Sequence, residues 1–389
     1  MNKMIYRHGF FYLILCVMFI CVFTACTAPK KADGTISSKV EATTEQTVLS
    51  ATTQKNESQN IYKVFSEKIN TIPAVPLSES RLALLKELDD FIRSTDNGKF
   101  FSFKAYDLLK IRLDQVLEDI SSSQVSKGQI KLWYLYNMGI IVKSENKIIA
   151  FDLPNSIVYP NIADFTKNLD VLVITHLHED HFDPKVVKTA LENGVSVILP
   201  DEKIVIAQTG SSKTLIKSPE GEGTLDFLNS RFGLKSENLI AAKALEQVTI
   251  KGINLTGYPA VHMHNPDFPD DPIALFPLDW FFVELNGINL ITSGDSSTLV
   301  SQSDFSGKQI DVFMVHFDDP RASDNLAKLV PEVKTVLPLH VLELQHGSEI
   351  LDYMMYKNIL DENDNGYWKN NKSAKFIPLV WGEGILISK

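Results

Sequence analysis

Apolar positions between Ile61 and Ser126 recur at helical spacing. They run through Leu82, Leu84, Leu85, Leu88 and Phe91, then through Leu108, Leu109, Ile111, Leu113, Val116, Leu117 and Ile120. A stripe of that period is one face of a helix, so the segment predicts a helical subdomain, residues 61–128. Beyond Lys127 the pattern changes to short β-rich runs. These are Ile130–Tyr136, Ile140–Val142, Lys147–Phe151, Val171–Ile174 and Val195–Leu199. Val248–Leu255, Trp280–Leu285, Ile288–Ile291, Val312–Val315, Thr335–Leu337 and Phe376–Leu379 follow. Helical stretches at Pro184–Glu192 and Ala322–Leu329 fall between some of them, which predicts an α/β domain of two sheets flanked by helices over residues 129–389.

The first residues follow a different rule. Lys3 and Arg7 precede an almost wholly apolar stretch from Gly9 to Phe23, the charge and hydropathy order of an export signal. The stretch ends in Phe23-Thr24-Ala25-Cys26, which resembles the cleavage box of bacterial lipoproteins, with Phe23 where Leu is more usual. That resemblance implies a signal peptide at 1–25 and a lipid on Cys26 that holds the mature chain to a membrane; an uncleaved membrane helix is the alternative. Either arrangement puts the remainder outside the cytoplasm. Residues 26–60 are rich in Thr, Ser, Lys, Glu and Gln, too polar to bury a core, and predict a tether. If flexible, about 35 such residues reach roughly 30 Å.

Composition narrows the chemistry. Hydrophobic residues make up 44% of the 389, enough for a substantial core. A net charge of −10 disfavours nucleic acid as a partner, since phosphate binding depends on positive charge. All three cysteines, Cys16, Cys21 and Cys26, lie in the leader, so any metal in the globular part must be held by histidines and carboxylates.

Those residue types are concentrated in one place. Directly after the apolar run Val171–Ile174 comes Thr175-His176-Leu177-His178-Glu179-Asp180-His181. In extended chain His176 and His178 share a side, and Asp183-Pro184 reads as a helix N-cap with proline in the first turn. Four potential ligands thus occupy six positions at a strand-to-helix junction. Imidazole and carboxylate suit zinc and related divalent ions.

His176-x-His178-x-Asp180-His181 resembles the signature of the metallo-β-lactamase fold superfamily, and the likeness continues from about Ile130 to the C-terminus. It implies a four-layer αββα sandwich, here preceded by the helical segment. Pro259-Ala-x-His262 resembles the third histidine of a first metal site, in particular that of the ascorbate-6-phosphate lactonase branch, with His264 as the alternative. Gly294-Asp295 after the run Ile288–Ile291 resembles the segment whose carboxylate bridges two metals, and Pro338-x-His340 resembles the last ligand. The resemblance therefore implies His176, His178 and His262 at one metal, Asp180, His181 and His340 at a second, and Asp295 between them. Asp152 would hydrogen-bond the ligand turn from behind.

Two such ions, most simply zinc with manganese or iron as alternatives, would share a water, lower its pKa and polarise the bond under attack. The expected activity is hydrolysis of a small ester, lactone or phosphodiester, with Asp180 and His264 as catalytic candidates and His316 as a further proton donor. The preference for a lactone or phosphodiester comes from the branch resemblance, and a lipid-like substrate from the membrane tether. His316 is more simply a satisfied loop histidine. A surface lipoprotein that binds ligand or metal without turnover is the rival from another class, and an iron redox enzyme is a third reading that would need a flavin partner.

Overall fold

The structure is a computed structural model that describes residues 61–75, 78–93, 103–201, 205–208, 214–217, 223–262, 278–299, 305, 307–316, 333–341 and 374–389. The expected leader and tether, the helix at 322–329 and His264 lie outside the described residues. Contacts divide the chain between Asn56 and Glu57, and everything described belongs to the second unit.

Among the described residues three helices come first: α1 (61–71), α2 (Glu79–Arg93) and α3 (Phe103–Ser122). The apolar stripe that predicts them is the buried face. Leu84, Leu85 and Leu88 of α2 and Leu108, Leu109, Leu113, Val116 and Ile120 of α3 join the same continuous core as the sheets. Each such side chain stabilises the fold by about 1.5–3 kcal/mol through burial. The helices are also tied down by polar contacts. The Arg81 guanidinium is 0% exposed and grips Glu383 with both terminal nitrogens, one at 2.8 Å. It also donates to the Pro378 carbonyl at 2.6 Å, and Arg112 Nε donates to the Trp381 carbonyl at 3.0 Å.

A seven-stranded sheet is formed from β1 (Gln129–Tyr136), β2 (Gly139–Lys143), β3 (Ile148–Phe151), β4 (Val171–Val173), β5 (Ser196–Pro200), β8 (Leu239–Ala242) and β17 (Gly384–Ser388). Its order is β17-β1-β2-β3-β4-β5-β8. The first four of these pair antiparallel, because tight turns join β1 to β2 and β2 to β3. From β3 to β8 the strands are parallel, since each connection crosses over through helix: a 3₁₀ helix (Ile162–Asn168), then α4 (Pro184–Glu192), then α5 (Thr224–Phe232). Helix α3 is anchored to this sheet where Asp119 accepts from Lys131 Nζ at 2.6 Å and Trp133 Nε1 at 2.8 Å.

The second sheet has eight strands among the described residues: β9 (Gln247–Ile250), β10 (Ile253–His262), β11 (Leu278–Leu285), β12 (Ile288–Thr292), β13 (Ser296–Leu299), β14 (Ile310–His316), β15 (Val333–Leu339) and β16 (Lys375–Phe376). Its order is β13-β10-β11-β12-β14-β15-β16, with β9 beside β10, and β12 through β16 are parallel. A small hairpin of β6 (Val205–Gln208) and β7 (Thr214–Lys217) completes the described strands. The mixed α/β architecture of two sheets with helices agrees with the sequence reading.

Three details differ from the expectation. The run Phe376–Leu379 is strand only through Phe376 and continues as irregular, buried chain. The strand that closes the first sheet is Gly384–Ser388, a short apolar run at Ile385–Ile387 that is not among the expected strands. Strand β10 runs on to His262, so Pro259 to His262 lie within a strand.

Candidate metal centre

The parallel strands β4, β12, β14 and β15 all end at the same region, and chemically competent residues follow or occupy each end. Val173 ends β4 before Thr175 and His176, Thr292 ends β12 before Asp295, His316 ends β14, and Leu339 ends β15 before His340. Carboxyl ends of parallel strands are where α/β sheets place their binding crevices.

After β4 the chain makes a tight turn in which His181 N and Phe182 N both donate to the His178 carbonyl, at 3.0 and 2.8 Å. Asp183 then caps α4 as expected: its Oδ1 accepts from Lys185 N at 2.8 Å, and Pro184 opens the helix. The other carboxylate oxygen accepts from Ser156 N at 2.8 Å, binding the loop after β3 to the same junction. His176, Asp180 and His181 are buried, while His178 is half-buried.

Two groups of donors result. Ligand atoms of Asp180, His181, Asp295 and His340 lie within 4.8 Å of one another, and so do those of His176, His178 and Asp295. Asp295 belongs to both. Its Oδ1 is 3.1 Å from His181 Nε2, and its Oδ2 is 3.6 Å from His176 Nε2 and 3.8 Å from His340 Nε2. Asp180 Oδ2 is 3.4 Å from His181 Nε2 and 3.7 Å from His340 Nε2. Two donors that share a tetrahedral cation at about 2.1 Å each sit roughly 3.4 Å apart, so the spacings fit a zinc-sized ion in each group.

The electrostatics point the same way. Burial alone would raise the Asp295 carboxyl, but the positive charge of His181, His340 and His316 outweighs it and holds the group well below the usual carboxylate range. Asp180 shows the same balance: burial opposes ionisation, and His181, with help from His340, overcomes it. Burial would lower the His181 imidazole, yet Asp295, Asp180 and Asp152 push it well above its ordinary value. The centre therefore stabilises positive charge among its carboxylates, and a divalent cation could take the place of the protons.

Residues behind the donors fix their orientation. Asp152 is fully buried, with Oδ1 accepting from Thr175 N and Oδ2 from Thr175 Oγ1, both at 2.8 Å. Oδ2 also lies 3.2 Å from His181 Nδ1, which turns Nε2 of that ring toward Asp180 and Asp295. Thr175 gives its hydroxyl proton to Asp152, so its oxygen is left to accept from His176 Nδ1 at 3.1 Å. Gly294 is required by the closeness of that threonine: its φ is +48°, and a β-carbon there would lie 2.7 Å from Thr175 Oγ1.

No family model matches the chain, and no curated protein matches it by sequence. Solved structures do. A metallo hydrolase from the archaeon Ignicoccus hospitalis is 16% identical with a TM-score of 0.44, covering 67% of this chain and 99% of that one. The metallo-β-lactamase fold protein YhfI from Bacillus subtilis is 12% identical with a TM-score of 0.43 over 67% of this chain and 100% of its own. The isothiocyanate hydrolase from Delia radicum gut bacteria is 12% identical with a TM-score of 0.45, over 67% and 100%. The structures similar to this chain thus include metal-dependent hydrolases and proteins of the metallo-β-lactamase fold.

Of the residues singled out in the sequence, the structure gathers His176, His178, Asp180, His181, Asp295 and His340 into the two groups. His262 ends β10 opposite Ser296, one residue from Asp295, and only its backbone is described. Two further residues reach the centre. His316 is buried at the end of β14, with its ring 4.2 Å from that of His340 and its Nε2 3.9 Å from Asp295 Oδ1, so the simpler expectation of a loop histidine gives way. Its backbone N is held by Ser293 Oγ at 2.9 Å, which ties the ends of β14 and β12 together. Asn137 reaches Asp180 from the turn between β1 and β2.

Proposed function

We propose that this chain is a hydrolase of the metallo-β-lactamase fold that works with two divalent metal ions, zinc in the first instance, on a small ester, lactone or phosphodiester. The observation that carries the reading is the pair of donor groups sharing Asp295. Bound there, the ions would supply an activated water and a Lewis acid for the bond to be cleaved.

The chain's own residues do the rest. His176 and His178 belong to one group and Asp180, His181 and His340 to the other, with Asp295 common to both. Asp152 and Thr175 hold His181 and His176 with Nε2 facing inward. Burial of His176, His181, Asp295 and His340 excludes bulk water from their side of the centre, while the half-buried His178 marks the side open to substrate. His316 is placed to donate a hydrogen bond beside Asp295, where negative charge on a reacting oxygen would gather.

The apolar leader and Phe23-Thr24-Ala25-Cys26 support an export route ending in a lipid on Cys26, with the enzyme held outside the cytoplasm near lipid-like or small soluble substrates. Cys26→Ala should then release the protein from the membrane fraction.

The test of the catalytic reading is elemental analysis of the full chain purified in detergent, beside its His178→Ala variant and a panel of phosphodiesters and lactones. Close to two metals per chain, lost together with turnover in the variant, is the expected result. Metal without turnover of any substrate would favour a binding lipoprotein on the same scaffold, and metal-free protein would end the reading.

A further inference from the structure

The second donor group is assembled across the two sheets. Asp180 and His181 follow β4 of the first sheet, and His340 follows β15 of the second. Asn137, in the turn between β1 and β2, touches both sides. Its Nδ2 donates to Asp180 Oδ2 at 2.6 Å, and its backbone carbonyl accepts from His340 N at 2.9 Å. Next to it, Tyr134 Oη donates to the Val341 carbonyl at 2.9 Å, so this end of β1 is fastened to the chain on either side of the His340 side chain.

Asn137 sits in a turn conformation that asparagine tolerates. Its φ is +57°, in the left-handed region that tight hairpin turns require and glycine supplies without strain. The side chain is 1% exposed, and Oδ1 has no hydrogen-bond partner among the described residues. A buried amide with one end unsatisfied is unfavourable unless its other end has a task, and the contact on Asp180 is that task. The oxygen it holds is the one that faces His181 and His340.

We propose that Asn137 is a positioning residue of the second donor group: it fixes the Asp180 carboxylate and the His340 backbone against each other and thereby sets how firmly that group keeps its cation. The inference rests on the two-metal reading and adds a hierarchy to it. Loss of the Asn137 amide loosens the second ion first, because the contact described for it is with Asp180, while the backbone carbonyl goes on accepting from His340 N.

The experiment compares the full chain in detergent with Asn137→Gly and Asn137→Ala, each loaded with zinc and challenged with a graded chelator. Metal per chain is read by elemental analysis, and unfolding of the metal-depleted proteins by thermal melting. Glycine removes the amide and accommodates the positive φ, whereas alanine removes the amide and strains the turn, so their stabilities should differ while their metal behaviour agrees. The expected result is two ions in the parent chain and, in both variants, one ion held as before and one weakened 10- to 100-fold, the range for loss of a partner that orients a ligand. Two ions with unchanged chelator sensitivity in the glycine variant would overturn the proposal, as would equal weakening of both ions. If neither variant folds, Asn137 is a folding residue and the proposal fails. A parent chain that never binds two ions would instead overturn the two-metal reading beneath it.

Discussion

Asp152→Asn is the substitution that tests whether the centre is held in shape from behind. The change is nearly isosteric. Oδ1 can go on accepting from Thr175 N, but the position of Oδ2 would carry an NH₂ group facing two donors, Thr175 Oγ1 at 2.8 Å and His181 Nδ1 at 3.2 Å. His181 Nδ1 then loses its anionic partner in a fully buried site, and the ring is no longer held with Nε2 inward. A hydrogen bond to a charged group contributes about 1.5–3 kcal/mol. At about 1.4 kcal/mol per factor of ten, affinity for the cation at His181 should fall roughly 10- to 100-fold. Chelator competition on the purified chain measures this directly, with thermal melting of the metal-depleted protein as the control for folding. A variant that holds metal as tightly as the parent would refute the assignment of Asp152 as the orienting partner of His181.

Two further outcomes concern stability. Glu383→Ala strands the Arg81 charge in the interior and removes the acceptor for Val380 N, which it meets at 2.8 Å; breaking such a pair should cost about 3–5 kcal/mol, and replacing Arg81 by Met at the same time should recover part of it, as a double-mutant denaturation cycle would show. Asp183→Ala removes the cap of α4 and the tie to Ser156, a loss of about 1 kcal/mol at neutral pH in urea unfolding. Burial opposes ionisation of Asp183, but its bonds from Ser156, Lys185 and Val186 prevail and depress its pKa. Its contribution is therefore complete above the unfolded value of about 4 and disappears as pH falls through the lower folded value. The gap between parent and variant should close only in that acidic window, and a gap that stays constant to the lowest pH would contradict the charge-based cap.

What the sequence discloses and what it hides divide along a physical line. The segment from His176 to His181 is legible because four donors lie within six positions and a strand and a capped helix bracket them, so local geometry already aims them together. Asp152 and Asp295 are reached through the family resemblance, since an aspartate after a strand is by itself an ordinary turn residue. Asn137 cannot, because an asparagine between two strands reads as a turn former, and only the fold brings it to a residue 43 positions away. His316 is visible only as a candidate proton donor: its place at the centre comes from the parallel pairing of β14 with β12 and β15, which no local pattern records. Arg81 on a helix reads as a solvent-facing charge until Glu383, 302 positions on, is seen to meet it. Strand β17 is an apolar run too short to declare a partner, and only the fold shows that β1 receives it.

The pairing of β1 with β17 also sets a clock. Gln129 lies opposite Ser388 and Trp133 opposite Gly384, so one flank of the first sheet stays open until residues more than 250 positions downstream have been made. Arg81 and Arg112 wait for the same stretch, since Glu383 and the carbonyls of Pro378 and Trp381 all belong to it. The helices, the first sheet and the seam that carries Asn137 thus share one late event, and closing a loop of that length is slow compared with helix formation. A chain emerging from a ribosome would remain pliable until that event. The donor groups, drawn from both sheets, would come together only afterwards, so metal capture would follow the arrival of β17.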